Sequence, residues 1–329
     1  MARYLVTGGA GYVGSHAVLA LMERGDEVVV IDNLHQGHRE AVAPGVELVV
    51  ADLSDRRRVA EVFAAWKFDA VLHFAALSLV AESMEQPLRY ITENVGNTLW
   101  LAEEAVRAGC LSFVLSSTAA LFGEPEGEPM HEGSRLDPVS AYGESKLMAE
   151  RGLEWAERVH GLRSVSLRYF NAAGADPLGR LGEDHRPETH LIPLTIDAAL
   201  GLGPALTVFG TDYETPDGTC IRDYVHVTDL ADAHLRVLEV LGQGRSGRYN
   251  IGNGNGYSVR QVIEEVERVC GCPVPFQPGP RRPGDPPVLV ASNALLRRET
   301  GWEPRHSSLS EIVRTAWEWR RAHPQGYRS

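Results

Sequence analysis

Short apolar runs alternate with amphipathic stretches along the first half of the chain. Strands are predicted at residues 3–6, 28–31, 46–50, 70–74, 113–116 and 164–167. The segments between these strands show helical periodicity. It predicts helices from the first glycine motif to residue 25 and at 55–65, 88–108 and 142–160. Repeated βα units of this length predict a parallel sheet with helices on both faces. The expected fold class is therefore α/β, a doubly wound (Rossmann) sheet.

The periodicity weakens after Phe170 and Asn171, where glycine, proline and longer loops become frequent. We expect a smaller α/β domain for substrate binding to begin near this point. This divides the chain into a first domain at residues 1–175 and a second at residues 176–329. The composition leaves open whether elements near residues 221–250 return to the first sheet.

The first predicted strand runs directly into a glycine motif, Thr-Gly-Gly-Ala-Gly-Tyr-Val-Gly at residues 7–14. Gly8, Gly11 and Gly14 suit a tight turn, close approach of backbone to a pyrophosphate, and close packing of helix on strand. The second strand ends at Asp32, whose carboxylate is placed to accept adenosine ribose hydroxyls and to repel a 2′-phosphate. This order predicts a site for NAD rather than NADP; the alternative is a glycine-rich turn in another α/β protein.

Tyr142 and Lys146 are the strongest candidates for chemistry. Lys146 is one of only two lysines, and four positions separate it from Tyr142 at the start of a predicted helix, so the two side chains lie on one face. A phenol titrates near ~10, and an ammonium about 4 Å away is worth roughly 4 kcal/mol at an effective dielectric of about 20. Desolvation offsets part of this effect, and we expect the Tyr142 pKa to fall toward neutrality, where general bases work best. The alternative is a solvated tyrosine beside a chance lysine.

Composition narrows the possible partners and location. A formal charge of −12 argues against nucleic-acid binding, and an anionic substrate must then be captured by local arginines. The chain has no apolar run long enough to span a membrane and no signal-like start, so we expect a cytoplasmic protein. Its four cysteines have neither zinc-finger spacing nor a disulfide framework, and no metal site is expected.

Several further motifs occur in order along the chain. They are Asp32-Asn33-Leu34, His73-Phe74-Ala75-Ala76, Ser116-Ser117-Thr118-Ala119, Tyr142-Gly143-Glu144-Ser145-Lys146, Arg168-Tyr169-Phe170-Asn171 and Arg222-Asp223-Tyr224-Val225-His226-Val227. Together with the glycine motif, this combination resembles the extended short-chain dehydrogenase/reductase superfamily. Within that superfamily the chain resembles the UDP-glucose 4-epimerase family from end to end.

The resemblance implies interconversion of UDP-galactose and UDP-glucose by an enzyme that holds NAD as its cofactor. Tyr142 would take the proton of the sugar 4-hydroxyl while the hydride on carbon 4 passes to NAD, and the 4-keto sugar would turn and take the hydride back on its other face. Lys146 would hold the phenolate, and Thr118 would bridge the sugar hydroxyl and the tyrosine. Members of the family are usually homodimers built on two long helices, here residues 88–108 and 142–160.

The resemblance also assigns binding residues. The cofactor-binding positions are Gly8, Gly11, Tyr12, Val13, Gly14, Asp32, Asn33, Asp52, Leu53, Phe74, Ala75, Ala76, Asn94, Ser116, Tyr142, Lys146 and Tyr169. The positions that bind the UDP-hexose are Thr118, Tyr142, Asn171, His190, Leu191, Phe209, Arg222, Arg282 and Asp285. Arginine suits a diphosphate because its guanidinium bonds in forks.

Three residues depart from the family pattern. Ser78 stands where some relatives have a lysine that touches the cofactor, and His190 stands where some have a substrate-binding asparagine. Leu289 stands where members restricted to plain hexoses often have a tyrosine, so we expect room for UDP-N-acetylglucosamine as well.

Other functions are open from the sequence. A nucleotide-sugar 4,6-dehydratase begins with the same oxidation, but Ala119 and Ala120 follow Thr118 where that chemistry needs an acid pair. A 4-epimerase of uronic acid nucleotides is a second enzymatic alternative. A regulatory protein that senses NAD without catalysis is the non-enzymatic one, and the intact Tyr142, Lys146 and Thr118 argue against it. His73, at the end of a buried strand, is expected to be a satisfied core residue without a chemical role.

Overall fold

The computed structural model describes residues 1–123, 129–282, 285–306 and 308–328. The strands in chain order are β1 Arg3–Thr7, β2 Glu27–Asp32, β3 Glu47–Val50, β4 Ala70–His73, β5 Ser112–Thr118, β6 Arg163–Tyr169, β7 Asn171–Ala173, β8 Leu206–Phe209, β9 Ile221–His226, β10 Gly247–Ile251, β11 Gly256–Ser258, β12 Phe276–Gly279 and β13 Val288–Leu289. The helices in chain order are α1 Tyr12–Glu23, α2 Arg56–Ala65, α3 Val80–Glu85, α4 Pro87–Tyr90, α5 Gly96–Arg107, α6 Ala141–His160, α7 Leu191–Leu200, α8 Val227–Gly242, α9 Val259–Cys270, α10 Ala294–Thr300 and α11 Leu309–Ala322.

A seven-stranded parallel sheet forms the larger part of the molecule. Its strand order is β3-β2-β1-β4-β5-β6-β10. The predicted doubly wound α/β fold is confirmed, and the six predicted strands correspond to β1–β6 with ends that differ by at most two residues. The order reverses between β1 and β4, and ligands of such sheets bind in the crevice at the carboxyl ends of strands beside this reversal.

Alternate residues of the central strands contribute to two apolar cores, one on each face of the sheet. Leu5 and Val29 pack with α2, α5 and α6, whereas Val6 and Val30 pack with α1 and α8. Each fully buried side chain of this kind stabilises the fold by about 1.5–3 kcal/mol. The sheet is therefore a rigid platform for the loops at its carboxyl edge.

A smaller unit follows the sheet in the chain. Strand β9 pairs with β7 and β13 in parallel and with β11 antiparallel, and β8 and β12 form a separate parallel pair. Helices α7, α9 and α11 supply much of its apolar core. The chain returns to the first sheet at β10, which pairs with β6, whereas β9 stays in the smaller unit.

The helix predicted at residues 88–108 is interrupted in the structure. A π-helical turn at Ile91–Val95 joins α4 to α5. Asn94 lies in this wide turn, and its side chain accepts a hydrogen bond from the Leu77 N–H at 2.8 Å and donates one to the Ser145 hydroxyl at 3.0 Å. The turn thus lets one side chain connect the loop after β4 to α6.

No helix in the described ranges has the length and apolarity needed to cross a membrane.

A buried ion pair connects α6 to β6. Glu150 accepts hydrogen bonds from Arg168 Nε at 3.0 Å and Arg168 Nη2 at 2.6 Å, and from the Ser117 hydroxyl at 2.6 Å. The two charged side chains are only 1% and 2% exposed. Removing one partner of such a pair leaves the other charge buried without compensation.

We expect Glu150→Leu to lower the free energy of unfolding by roughly 3–5 kcal/mol, because Arg168 loses its buried counter-charge. Denaturant unfolding measures this change. The matched control is Glu303→Leu, which breaks the exposed ion pair with Arg297 and should cost at most about 1 kcal/mol. Equal losses of unfolding free energy in the two variants would contradict the stabilising role assigned to the Glu150–Arg168 pair.

Candidate active site

The glycine motif forms a tight turn between β1 and α1. Gly8 has a φ of +72°, and a Cβ at this position would lie 2.6 Å from the Ala75 nitrogen. A Cβ at Gly14 would lie 2.1 Å from the Gly8 carbonyl oxygen. Gly11 is the N-cap of α1 and has no side chain to accept the first N–H groups of the helix. This cradle suits a pyrophosphate, because the backbone can approach closely and the helix N-terminus attracts anions.

The first turn of α1 connects the cradle to both parts of the molecule. The Tyr12 hydroxyl donates a hydrogen bond to the Gly174 carbonyl oxygen at 2.6 Å, beyond the end of β7. Val13 packs against the core beneath the sheet. The predicted cofactor residues Tyr12 and Val13 therefore hold the helix start in place.

Asp32 lies at the carboxyl end of β2 with only 7% of its surface exposed. Its carboxylate accepts hydrogen bonds from the Ala10 N–H at 2.9 Å and the Leu34 N–H at 2.8 Å. Burial raises its pKa. The Asp32 side chain thus stabilises the glycine turn through its hydrogen bond with the Ala10 N–H.

Asp52 and its neighbours continue this edge at the end of β3. Asp52 accepts hydrogen bonds from the Asn33 side chain at 2.7 Å and from the Ser54 hydroxyl at 2.6 Å, and the second of these is the largest influence that lowers its pKa. Leu53 is buried in the core. The structure therefore brings Asp32, Asn33 and Asp52 to one edge of the sheet, and their role in cofactor binding stays a prediction.

The loop after β4 crosses directly over the glycine turn. The Phe74 and Ala75 N–H groups both donate to the Thr7 carbonyl oxygen, at 2.9 and 3.1 Å. Ala76 is exposed at the next position. These contacts explain why Gly8 must lack a side chain, and they shape the wall of the crevice between β1 and β4.

Tyr142 and Lys146 occupy the first two turns of α6. The Ser140 hydroxyl caps the helix by accepting the Gly143 N–H at 3.1 Å, and a Cβ at Gly143 would lie 2.2 Å from the Ala120 carbonyl oxygen. The Lys146 ammonium is 3% exposed and donates to the Ser116 carbonyl oxygen at 2.9 Å, at the end of β5. Burial lowers the Lys146 pKa to about 8.

The expected lowering of the Tyr142 pKa by Lys146 alone is wrong. Burial raises the pKa of Tyr142 well above its usual range, and the neighbouring Tyr169 raises it further. A hydrogen bond from the Thr118 hydroxyl acts in the opposite direction, but it is smaller. Desolvation of the phenolate was expected to offset only part of the effect of Lys146, but it is the largest influence on the Tyr142 pKa.

Thr118 ends β5 beside Tyr142 and has two roles. Its hydroxyl caps the following 3₁₀ turn by accepting the Ala120 N–H at 3.1 Å, and it also lies within hydrogen-bonding reach of the phenol. Next to it, Ser116 and Tyr169 share a hydrogen bond of 2.5 Å between their hydroxyls. The structure therefore brings Thr118, Tyr142, Lys146, Ser116 and Tyr169 together at the carboxyl ends of β5 and β6.

The predicted substrate residues of the smaller unit lie around β9. Asn171 donates to the Asp223 carbonyl oxygen at 2.9 Å, which joins β7 to β9. The Arg222 guanidinium forms an ion pair with Asp285 and also donates to the Pro286 carbonyl oxygen at 2.8 Å. Arg282 is exposed, and its guanidinium stacks 4.3 Å from the centre of the Phe209 ring. Arg222 and Arg282 thus each present a guanidinium group in the smaller unit.

His190 is held by residues that sequence reasoning missed. It precedes α7, whose first residue is Leu191, and its Nδ1 lies 2.7 Å from a Glu183 oxygen and 3.2 Å from a Glu188 oxygen. The regular spacing Glu-x-His-x-x-Glu-x-His at residues 183–190 was the signal that could have revealed this group.

Two further residues are placed by the core. His73 is buried, and its ring nitrogens lie 2.6 Å from the Thr7 hydroxyl and 2.8 Å from the Thr98 hydroxyl, which confirms the prediction of a satisfied core histidine. Leu289 pairs in register with Arg222 and packs against an apolar cluster. That cluster contains Leu121, Phe122, Met130 and Leu147.

Comparison with known proteins agrees with this arrangement. Residues 4–252 match the family model described as the NAD dependent epimerase/dehydratase family. The chain is 48% identical over 324 residues to a UDP-glucose 4-epimerase of Halalkalibacterium halodurans, covering 98% of this chain and 97% of that protein. A crystal structure of a UDP-glucose 4-epimerase superposes with a TM-score of 0.97 at 46% identity, covering 99% and 100% of the two chains.

A second solved structure is that of the Brucella ovis UDP-glucose 4-epimerase in complex with NAD. It has a TM-score of 0.94 at 44% identity, covering 97% of this chain and 98% of that one. Similarity of this degree over whole chains, together with the glycine cradle and the Tyr142–Lys146 pair, identifies the chain as a member of the UDP-glucose 4-epimerase family.

Proposed function

We propose that this protein interconverts UDP-galactose and UDP-glucose with bound NAD as its cofactor. The observation that carries the proposal is the convergence of Tyr142, Lys146 and Thr118 beside the crevice between β1 and β4 in a chain related to UDP-glucose 4-epimerases throughout its length. NAD, when bound, accepts the hydride from sugar carbon 4 and returns it.

The described residues fit NAD. We infer that the turn at Gly8, Gly11 and Gly14 receives the pyrophosphate and that Asp32, with Asn33 and Asp52, faces the adenosine ribose. Burial of a carboxylate at Asp32 disfavours a 2′-phosphate there. We assign cofactor binding mainly to the domain at residues 1–175, whose sheet β10 joins, and the remaining sugar-nucleotide contacts to the domain at residues 176–329.

Tyr142 is proposed to take the proton from the sugar 4-hydroxyl and to return it after the 4-keto sugar has turned. Thr118 orients the phenol for this proton transfer, because its hydroxyl lies within hydrogen-bonding reach of the Tyr142 oxygen. Lys146, with a pKa of about 8, is mostly protonated at neutral pH and supplies positive charge one helical turn after the tyrosine. Each proton taken is given back, so the reaction consumes no external acid or base.

The diphosphate of the sugar nucleotide is proposed to bind Arg222 and Arg282. Arg222 lies on β9 and Arg282 stacks on Phe209 at the end of β8, and their planar guanidinium groups suit phosphate oxygens. Asn171, Leu191, Phe209 and Asp285 lie on the elements around them and complete the proposed site. Because the net charge is −12, this local pair of cations, rather than the field of the whole protein, must attract the dianion.

Alternative functions are less well supported. The position after Thr118 holds Ala119 and Ala120, so the 4,6-dehydratase lacks its proton donor. A uronic acid epimerase or an NAD-sensing regulatory protein would be expected to have relatives with those functions. The relatives found are UDP-glucose 4-epimerases. A cytoplasmic location stays a prediction.

We propose that the protein is a homodimer that pairs through α5 and α6. These helices pack closely, since a Cβ at Gly152 would lie 2.3 Å from a Leu99 methyl. Met148, Trp155 and Val159, at helical spacing on α6, are 37%, 63% and 66% exposed. An apolar stripe of this kind on a surface helix favours association.

Tyr142→Phe is expected to lower kcat by roughly 10²–10⁴-fold, because the proton acceptor is removed while the ring remains. Conversion of UDP-galactose to UDP-glucose by purified protein measures it, and NAD released on denaturation checks that the cofactor still binds. Tyr249→Phe, which removes a buried hydroxyl bonded to Glu299 far from the site, is the matched control. Near-normal conversion by Tyr142→Phe would refute the mechanism.

Leu289→Tyr is expected to lower kcat/KM for UDP-N-acetylglucosamine by at least roughly tenfold while UDP-glucose is still converted, because the added ring fills the space next to the sugar. Turnover of the two substrates is compared in each variant. Leu289→Val, which keeps the space, should behave like the natural chain. If the natural chain has no activity on N-acetylated sugars, the idea of a larger pocket is wrong.

Trp155→Asp is expected to convert the dimer to a monomer, because it places a charge within the apolar stripe. Light scattering coupled to size-exclusion chromatography measures the mass. Phe276→Asp, a change at an equally apolar residue that is 45% exposed on β12, should leave the dimer intact. A monomeric natural chain would overturn the proposal.

A further inference from the structure

Four potential metal ligands converge in the segment before α7. They are Glu183, His185, Glu188 and His190, and one ligand atom from each lies within 4.8 Å of the others. They come from eight consecutive residues, so one short segment positions the whole group. The group is separate from the Tyr142–Lys146 pair.

Four distances within this group lie between 2.7 and 3.6 Å, close to the ligand separations of a tetrahedral metal site. His185 Nδ1 lies 3.2 Å from Glu183 Oε1 and 3.6 Å from Glu188 Oε2. His190 Nδ1 lies 2.7 Å from Glu183 Oε1 and 3.2 Å from Glu188 Oε1. Around a zinc ion with bonds of about 2.0–2.1 Å, ligand atoms are separated by about 3.4 Å.

Two of the ligand atoms are buried without a hydrogen bond of ordinary geometry. Glu183 has only 7% of its side chain exposed, yet its Oε1 has no hydrogen-bond partner among the described residues. His185 Nδ1 is also buried without a hydrogen bond, although it lies 3.2 Å from that oxygen. Contact without hydrogen-bond alignment is expected where lone pairs point to a common centre.

Glu188 is oriented by its own backbone. Its Oε1 accepts the Thr189 N–H at 2.7 Å and the His190 N–H at 2.8 Å, which turns Oε2 toward His185. Outer hydrogen bonds of this kind fix the direction of metal ligands. The carboxylate is thus held in place before any ion binds.

Charge balance also favours a cation. Two largely buried carboxylates need two positive charges nearby, and a divalent ion supplies them while both imidazoles stay neutral. Imidazole and carboxylate together suit zinc and similar transition metals. A cavity of about 190 Å³ borders the group and offers an entry path; it is lined by Gly174, Glu183, His185, Glu188, Trp319 and Pro324, among others. The rival explanation is a network of protonated histidines and carboxylates without metal.

We propose that Glu183, His185, Glu188 and His190 bind one zinc ion, which fixes the segment that leads into α7. This assigns the His190 ring to the metal rather than to the sugar nucleotide. Leu191, at the start of α7, would keep its position through the bound segment. The ion has a structural role and takes no part in hydride transfer.

The test uses tag-free protein stripped with a chelator and then equilibrated with Zn²⁺. Elemental analysis after desalting should find about one zinc per chain. His185→Gln and Glu183→Gln should each weaken zinc binding by at least roughly tenfold, as measured by competition with a chromophoric chelator. His306→Gln is the matched control, because it removes an imidazole paired with Glu311 outside the group and should bind zinc normally.

A second measurement does not depend on the folding of any variant. The stripped natural chain should acquire the visible absorption of tetrahedral Co²⁺ when this ion is added, and one equivalent of Zn²⁺ should remove it. Zinc should also raise the melting temperature of the natural chain. The proposal fails if the natural chain retains no zinc and gives no tetrahedral Co²⁺ spectrum, or if both glutamine variants fold and bind zinc as tightly as the control.

Discussion

The hydrogen bond from the Lys146 ammonium to the Ser116 carbonyl oxygen determines the geometry of the cleft. It joins α6 to the end of β5 with a charge that is almost completely removed from water. Burial disfavours this charge more than the Ser116 carbonyl and the nearby Glu150 carboxylate stabilise it, so the Lys146 pKa falls to about 8. Close packing of Gly143 on the Ala120 backbone fixes the same helix end. Tyr142, one residue earlier, therefore has a defined position.

The two titratable groups of this pair respond to burial in opposite ways. Burial lowers the Lys146 pKa and raises that of Tyr142, because it disfavours the charged form of each. At neutral pH the start of α6 therefore carries a neutral phenol and a mostly protonated amine. Further positive charge in the cleft would lower the Tyr142 pKa, because it favours the phenolate.

Much of the fold and of the site could be predicted from sequence because those features are local. Strand lengths, the glycine motif and the Tyr-x-x-x-Lys spacing depend on neighbouring residues, and the structure reproduces them. The Tyr142 pKa, the π turn at Asn94 and the pairing of Arg222 with Asp285 depend on residues distant in the chain. The periodicity of apolar residues does not reveal the extra residue of a π-helical turn. It also carries no information on the desolvation of buried titratable groups.

The ion pair between Arg222 and Asp285 changes how an anion can bind beside β9. The guanidinium already donates to Asp285 and to the Pro286 carbonyl oxygen, so a phosphate must either share it or displace the carboxylate. Displacement leaves Asp285 near a dianion, which is repulsive unless that carboxylate finds another donor. Hydroxyl groups of a nucleoside or sugar are such donors. A ligand that carries both a diphosphate and adjacent hydroxyls therefore satisfies Arg222 and Asp285 together, whereas a bare phosphate satisfies only one.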